Sequence, residues 1–268
     1  MRRHRVRPGT KVDLGDIDPA ETGRYEDEDA AREHLGRDVE RLAALQEVLY
    51  AEHRHAVLIV LQGMDTAGKD GTIKHVFSAV NPSGCEVAPF KVPTEEEADH
   101  DFLWRAHRFA PRRGHMTIFN RSHYEDVLVP FVHRLQPRDV IRRRYDQINA
   151  FERILIENGT VVLKFFLHVS KDEQCARLQA RLDDPTKQWK FSLKDVEERK
   201  LWPRYQKAYE CLLGHCSTRR APWHVIPANH KWYRNLAVAD ILVETIRALD
   251  CKYPRPELSA AERKRIRL

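Results

Sequence analysis

The chain lacks any apolar run close to the roughly 20 residues that a membrane-spanning helix needs. No membrane partner is therefore expected. The opening Met-Arg-Arg-His-Arg-Val-Arg-Pro is basic with no apolar segment behind it, so it does not read as a secretory signal, and a cytoplasmic location is expected. Cysteine is scarce and unpaired in pattern: Cys85, Cys175, Cys211, Cys216 and Cys251 are odd in number and contain no Cys-x-x-Cys pair. That argues against a disulfide framework and for buried thiols in a reducing compartment. His215 lies beside Cys216 and near Cys211, but without a second ligand pair a structural zinc is not expected. Internal repeats and low-complexity linkers are also missing, which points to one α/β domain with additions in 268 residues.

Charge is abundant instead. Lys plus Arg number 46 and Asp plus Glu 40, a net of +6. A polyanionic partner would suit this balance, whether a nucleic acid or a long phosphate polymer. Acidic residues are interspersed throughout and no RNA or DNA module is visible, so nucleic acid is not expected as the partner.

The most informative segment is Gly63-Met-Asp65-Thr-Ala67-Gly68-Lys69-Asp70-Gly71, which directly follows the apolar run 57–61. Glycines let successive backbone N–H groups turn into one concavity. A helix N-terminus adds the positive end of its dipole, and Lys69 adds a mobile cation. Placed between a buried strand and a helix, the Gly-x4-Gly-Lys pattern reads as a Walker A phosphate-binding loop rather than a plain strand–turn–helix connection. Asp70 stands where the usual loop has the magnesium-binding Ser or Thr. It reads best as a helix cap, as Asp is favoured near helix N-termini. Asp65 inside the loop would repel a phosphate, and reads best as serving a divalent cation or the phosphate acceptor.

Periodicity organises the rest. Residues 1–20 read as an extended arm and 26–54 as a long amphipathic helix, together an N-terminal extension over 1–55. Strands are expected at 56–61, 85–88, 115–120, 161–169 and 224–227. Between and after them, helices are expected at 68–80, from Thr94 through 105, and at 137–158, 171–182, 193–216 and 232–249. Thr94 with Glu97 forms a capping box, and Gly159 ends the 137–158 helix. Alternation of this kind predicts a doubly wound, mostly parallel sheet of five strands, with ligands beyond the carboxyl ends of the strands. Segments 62–70, 120–126 and 168–190 fall at such ends. A phosphotransferase domain is thus expected over 56–250, with a lid at about 172–195 and a basic tail at 251–268.

Two further groups carry chemistry. In Asn120-Arg121-Ser-His-Tyr-Glu125-Asp126 the arginine can hold phosphate oxygens and Asp126 can supply a metal-binding carboxylate. The structural alternative is a helix capped by Ser122, with Arg121 in an ion pair. Arg177 and Arg181 share a helix face ahead of the polar loop 183–192, as a closing lid would require; the alternative is a solvated helix face. Trp232 at the start of the last helix could stack a base or belong to the core.

Assembled, these residues resemble the polyphosphate kinase 2 family. The resemblance rests on 63–71, His100-Asp-Phe-Leu-Trp-Arg105, 119–126, Arg177 to Arg181 with Trp189-Lys-Phe, and Lys231-Trp-Tyr-Arg234. It implies a thymidylate kinase-like three-layer α/β/α sandwich with a helical lid. It also implies Mg²⁺-dependent transfer, Mn²⁺ substituting, of the terminal phosphate of inorganic polyphosphate to a nucleotide or the reverse. By resemblance Asp65, Lys69, Arg121 and Asp126 are catalytic, and Asp65 and Asp126 hold the metal. Gly63, Ala67, Gly68, Asp70, Gly71, Lys91, Arg105, Asn120, Glu125, Arg177, Arg181 and Lys187 contact substrate. Asn120 with Glu125 resembles the branch that accepts nucleoside mono- and diphosphates alike. A homo-oligomer, dimer or tetramer, is expected through the 26–54 helix. Two rivals stand beside this reading: an ATP-dependent nucleotide kinase with the same loop and lid, and a nucleic-acid-binding NTPase.

Overall fold

A computed structural model describes residues 4–255, 257–258 and 260–266. Residues 1–3 of the basic start and residues 256, 259, 267 and 268 of the basic tail lie outside this description. The elements in chain order are α1 (Glu28–Glu52), β1 (Ala56–Gly63), α2 (Lys69–Val76), β2 (Cys85–Pro89), α3 (Glu95–Asp99), α4 (Trp104–Arg108), β3 (Met116–Asn120), α5 (Glu125–His133), α6 (Arg138–Glu157), β4 (Thr160–His168), α7 (Lys171–Asp183), α8 (Leu193–Lys200), α9 (Trp202–Cys216), β5 (Trp223–Pro227), α10 (Lys231–Arg247) and α11 (Ala260–Arg265).

The strands form one sheet in the order β2-β3-β1-β4-β5, and every neighbouring pair is parallel. β1 lies at its centre, and all eight of its residues are buried. This is why 57–61 is a continuous apolar run rather than an alternating one: helices cover both faces of a parallel sheet. On one face α1, α2 and α10 pack together, and on the other α5, α6 and α9. The result is the expected three-layer sandwich. The carboxyl ends of β1, β3 and β4 lie side by side, with Leu61 opposite both Asn120 and Phe165. That register brings three polar segments, distant in sequence, to one edge of the molecule.

Two expected helices are broken. The helix capped by Thr94 and Glu97 ends at Asp99, and a new turn starts at Trp104. Between them Asp101 Oδ1 accepts the Leu103 N–H at 2.9 Å, an Asx turn that competes with the helix. The 193–216 segment divides at Leu201, where Pro203 in the first turn of α9 has no N–H to continue the ladder of α8. The thiols also differ from expectation. All five are free, but Cys216 alone is fully buried and Cys175 is exposed.

The arm is docked rather than loose. Val6 N–H donates to Trp223 O at 2.9 Å, and Arg5 forms an antiparallel bridge with His224 on the outer edge of β5. Farther along, the arm meets the carboxyl end of the sheet, where Asn229 N–H donates to Pro19 O at 2.9 Å. No helix among the described residues is long and apolar enough to cross a membrane.

Candidate active site

The phosphate loop leaves β1 at Gly63 and enters α2 through Gly68, whose φ of +104° only glycine adopts without strain. Space is as restrictive as angle here. A Cβ on Gly68 would lie 1.8 Å from Arg234 Nη1, and one on Gly63 would lie 2.8 Å from the Leu167 carbonyl. Lys69 folds back over the loop, its Nζ donating to Gly63 O at 2.8 Å and to Met64 O at 3.4 Å. Burial pushes its pKa down to about 8, helped by Arg121 and resisted by Asp65, Glu125 and Asp70.

Arg121 follows β3 in a left-handed conformation, φ +61°, which is uncommon for a non-glycine residue and marks a local strain of order 1–3 kcal/mol. The bend turns its guanidinium to Asp65 Oδ1 at 2.8 Å and to Glu125 Oε2 at 3.4 Å. Burial works against its charge, but Glu125 and Asp65 outweigh burial and hold its pKa above the ordinary arginine value. Asp65, Arg121 and Glu125 therefore form one charged cluster against the loop, and they line a cavity with Gly63, Gln174 and Tyr205.

The other assigned residues divide. Asp70 does not cap α2, contrary to expectation: the N-cap is Gly68, with no side-chain cap bond, and Asp70 Oδ1 instead accepts Asn120 Nδ2–H at 2.7 Å. Asp70 and Asn120 thereby tie the loop to the end of β3. Ser122 is not the N-cap of α5, which is Tyr124, but its hydroxyl accepts the Tyr124 N–H at 3.2 Å as well as Gln62 Nε2–H at 2.9 Å, so it braces the start of that helix. Asp126 does not line the cavity. Its Oδ2 takes Arg105 Nη2 at 2.8 Å, while Arg105 Nη1 donates to the Lys91 carbonyl at 2.9 Å. Arg105 is thus a buried strut between Asp126 and the segment after β2.

The structure also revises the place of Arg177. All five of its N–H donors are engaged: Nε with Glu173 at 2.7 Å, Nη1 with Thr66 O and Ala67 O at 2.9 and 3.3 Å, and Nη2 with Ala228 O and Asn229 O at 2.6 and 2.8 Å. It fastens the phosphate loop to the β5–α10 connection instead of reaching out from a lid. Arg181, near the end of α7, lies within 3.8 Å of Asp195 of α8, and Lys187 pairs with Asp184 on the exposed loop between those helices. Trp232 is half-buried against the core.

Several site residues escaped the sequence reading. α8 and α9 supply Asp195, Glu198, Arg199 and Tyr205 to the cavity wall. Arg199 Nη1 donates to Gln174 Oε1 at 2.9 Å, and Gln174 Nε2 donates to the Asp65 carbonyl at 3.1 Å, so the lid is linked to the loop. Their only signal was a helix following the lid loop. Arg234 closes the Lys231-Trp-Tyr-Arg motif at the start of α10. It is buried behind Gly68 and Gly71, donates to Ala67 O at 3.2 Å, and has its pKa pushed down to about 10 by burial and by Arg177.

Beneath the 119–126 segment lies a buried ionic network. Lys164 Nζ donates to Glu152 Oε2 and the Cys216 carbonyl, each at 2.6 Å, and to Tyr124 Oη at 3.0 Å; Tyr124 Oη–H donates to Glu152 Oε1 at 2.7 Å. Its members are satisfied by one another, as a buried charge pair requires.

A parallel five-stranded sheet, a glycine loop leaving its central strand and a helical lid over the strand ends define the P-loop kinase-like class of phosphotransferase folds. Within that class the chain belongs to the polyphosphate kinase 2 family, whose model, "Polyphosphate kinase 2 (PPK2)", matches residues 25–254. It is 54% identical over 261 residues to an AMP/ADP-polyphosphate phosphotransferase of Meiothermus ruber, covering 97% of this chain and 98% of that one. It is 45% identical over 277 residues to an ADP-polyphosphate phosphotransferase of Rhodopseudomonas palustris, covering 99% and 95%. Among solved structures, polyphosphate kinase 2 from Arthrobacter aurescens superposes with a TM-score of 0.94 at 42% identity, over 97% of this chain and 93% of that chain.

Proposed function

We propose that the chain moves the terminal phosphoryl group of inorganic polyphosphate onto nucleoside monophosphates and diphosphates, AMP to ADP and ADP to ATP, reversibly and with Mg²⁺. The observation that carries this reading is the cluster of Asp65, Arg121 and Glu125 against the phosphate loop, in a cavity closed by the lid helices. The full-length similarity to an AMP/ADP-polyphosphate phosphotransferase supports it.

In the proposed reaction the loop amides and the Lys69 ammonium hold the phosphate chain end. Asp65 faces the acceptor and orients its attacking phosphate oxygen. That oxygen forms a bond to the terminal phosphorus as the bond to the penultimate phosphate's bridging oxygen breaks, and the shortened polyphosphate leaves as an anion. Arg121 offsets the charge that builds on the transferred group. Asp65, on the cavity wall, would hold Mg²⁺, which when bound neutralises phosphate oxygens; Asp126, off that wall and paired with Arg105, is the second carboxylate proposed for it. Hard oxygen donors suit that ion, and each carboxylate engages an arginine through a single oxygen.

The test is a nucleotide-separation assay with long-chain polyphosphate, Mg²⁺ and either AMP or ADP. ADP and ATP formed from AMP support the dual-acceptor reading; ATP from ADP alone removes the monophosphate half. Turnover with ATP as donor and none with polyphosphate favours the ordinary nucleotide kinase. Within the dual-acceptor reading, Glu125→Lys lowers AMP use more than ADP use. A reducing cytoplasmic setting is part of the proposal, supported by the five free cysteines. So is a dimer or tetramer, to be read by light scattering.

A further inference from the structure

A second cluster lies away from the cavity, where α1 packs on α10. The buried stripe of α1 runs through Ala31, Asp38, Leu42, Gln46 and Leu49. Asp38 is a carboxylate in a row where a side chain should be apolar. Its residue is 1% exposed, and its Oδ2 atom makes no well-aligned hydrogen bond, the nearest polar group being the His34 imidazole. A buried carboxylate oxygen without a donor is costly and calls for a partner.

Two groups face that oxygen. His34, one turn earlier on α1, brings Nε2 to 3.2 Å from Asp38 Oδ2, and Asp240 of α10 brings Oδ1 to 4.0 Å from the same nitrogen. The three atoms lie within 4.8 Å of one another. The other ring nitrogen, Nδ1, is hydrogen-bonded to the Tyr25 hydroxyl, which also accepts from Arg24 Nη2 at 3.1 Å. A phenol oxygen already accepting from Arg24 has a second lone pair for Nδ1–H. In that tautomer the Nε2 lone pair points at the two carboxylates, and three electron-rich atoms converge. The phenol then plays the part an outer partner plays for a metal-bound imidazole, fixing the ring.

The geometry points to a divalent transition-metal site of the zinc type formed by His34 Nε2, Asp38 Oδ2 and Asp240 Oδ1. Tetrahedral coordination at zinc's bond lengths of about 2.0–2.2 Å places ligand atoms about 3.3–3.6 Å apart. The 3.2 Å pair already meets this, and the 4.0 Å pair closes by a small rotation of Asp240, whose side chain is half exposed. An imidazole donor favours Zn²⁺, Co²⁺ or Ni²⁺ over Mg²⁺, which takes oxygen ligands. The neighbouring cations are largely engaged: Arg37 pairs with Glu33 at 3.2 Å, and Arg41 lies 3.6 Å from the other Asp38 oxygen. A metal here would fasten the N-terminal helix to the last long helix of the domain, on a face that shares no lining residue with the catalytic cavity.

The test uses the full chain, stripped with a chelator and then dialysed against Zn²⁺ with excess Mg²⁺ present to occupy magnesium-selective positions. Elemental analysis is expected to find about one zinc per chain, and zinc is expected to raise Tm. His34→Gln and Asp240→Asn should each weaken zinc retention at least about tenfold and abolish the rise in Tm, with the transferase rate measured in Mg²⁺ unchanged. Replacing Zn²⁺ by Co²⁺ should give a visible absorption band lost in both variants. Two partly exposed ligands are chosen because Asp38 substitutions risk the fold. Absence of zinc from the wild-type chain, or equal retention in both variants, overturns the assignment.

Discussion

Asp65 and Arg121, 56 positions apart in sequence, form a 2.8 Å ion pair at the mouth of the phosphate loop. Arg121 reaches it only through its left-handed backbone, and Glu125 holds the same guanidinium from the next helical turn. Each charge fixes the other's position before any substrate arrives.

Asp65→Asn keeps the shape and removes the charge. It is expected to lower turnover by about a hundredfold or more, the usual scale for removing a preorganised charge at a reacting group. Far-UV circular dichroism should be unchanged, since Asp65 is a surface loop residue of the cavity. A variant with near-normal rate removes its assigned role.

The pKa of Lys69, pushed down to about 8, gives a pH signature. The ammonium binds phosphate, so the competent form is present below pH 8 and is lost above it. In the free enzyme kcat/KM for polyphosphate should fall on the alkaline side with a midpoint near 8. Lys69→Arg should lose that limb whatever its absolute rate, because a guanidinium does not titrate in this range. A profile flat from pH 7 to 9.5 in the wild-type chain contradicts the assignment.

Arg177→Met should act on stability and loop order together. It leaves the Thr66, Ala228 and Asn229 carbonyls without their Arg177 donor, each worth about 1–3 kcal/mol when buried, while Ala67 O keeps Arg234. With some of them reached by water, a loss of about 3 kcal/mol is expected, a Tm lower by about 6–12 °C at this chain length. Arg177→Lys should recover part of the Tm, since an ammonium can reach fewer of the carbonyls. Tm values within a degree of wild type would show that the carbonyls find other donors.

The buried Glu152–Lys164 pair yields a fourth expectation. Lys164→Met alone strands a carboxylate and should cost about 3–5 kcal/mol, while Lys164→Met with Glu152→Leu should restore much of it. Burial alone would raise the pKa of Glu152, but Lys164 and His123 prevail and hold it below its ordinary value. The pair's contribution is therefore complete above the unfolded glutamate value and lost as pH falls through the lower, folded value. Acid unfolding of the single variant should accordingly start from a lower plateau. Equal Tm for single and double variants would refute the coupling.

Local signals were legible in the chain and non-local ones were not. The loop 63–71 announced itself because a phosphate cradle needs glycines at fixed spacing after a strand. The central strands did so because burial on both faces leaves only apolar residues. The capping box of Thr94 and Glu97 is likewise a short-range device, and it stands as expected. The destinations of long side chains were not legible. Nothing in the spacing of Arg177 and Arg181 shows that one faces backbone carbonyls and the other a lid carboxylate. Asp70 looked like a cap because Asp is common there, yet its partner Asn120 arrives from a strand 50 residues away. The break at Leu201 did carry a local signal in Pro203, outweighed by the apolar periodicity on both sides.

The docking of residues 5 and 6 on β5 has a consequence for assembly. An exposed strand edge is a template for another chain, and the arm occupies this one. Growth of the sheet by strand addition is left to β2, whose residues Glu86 and Val87 are exposed. A chain trimmed before position 7 would lose the Arg5–His224 bridge and the Val6–Trp223 hydrogen bond and bare that part of the β5 edge. The arm thus acts as a hem on the outer strand, covering backbone that would otherwise face outward.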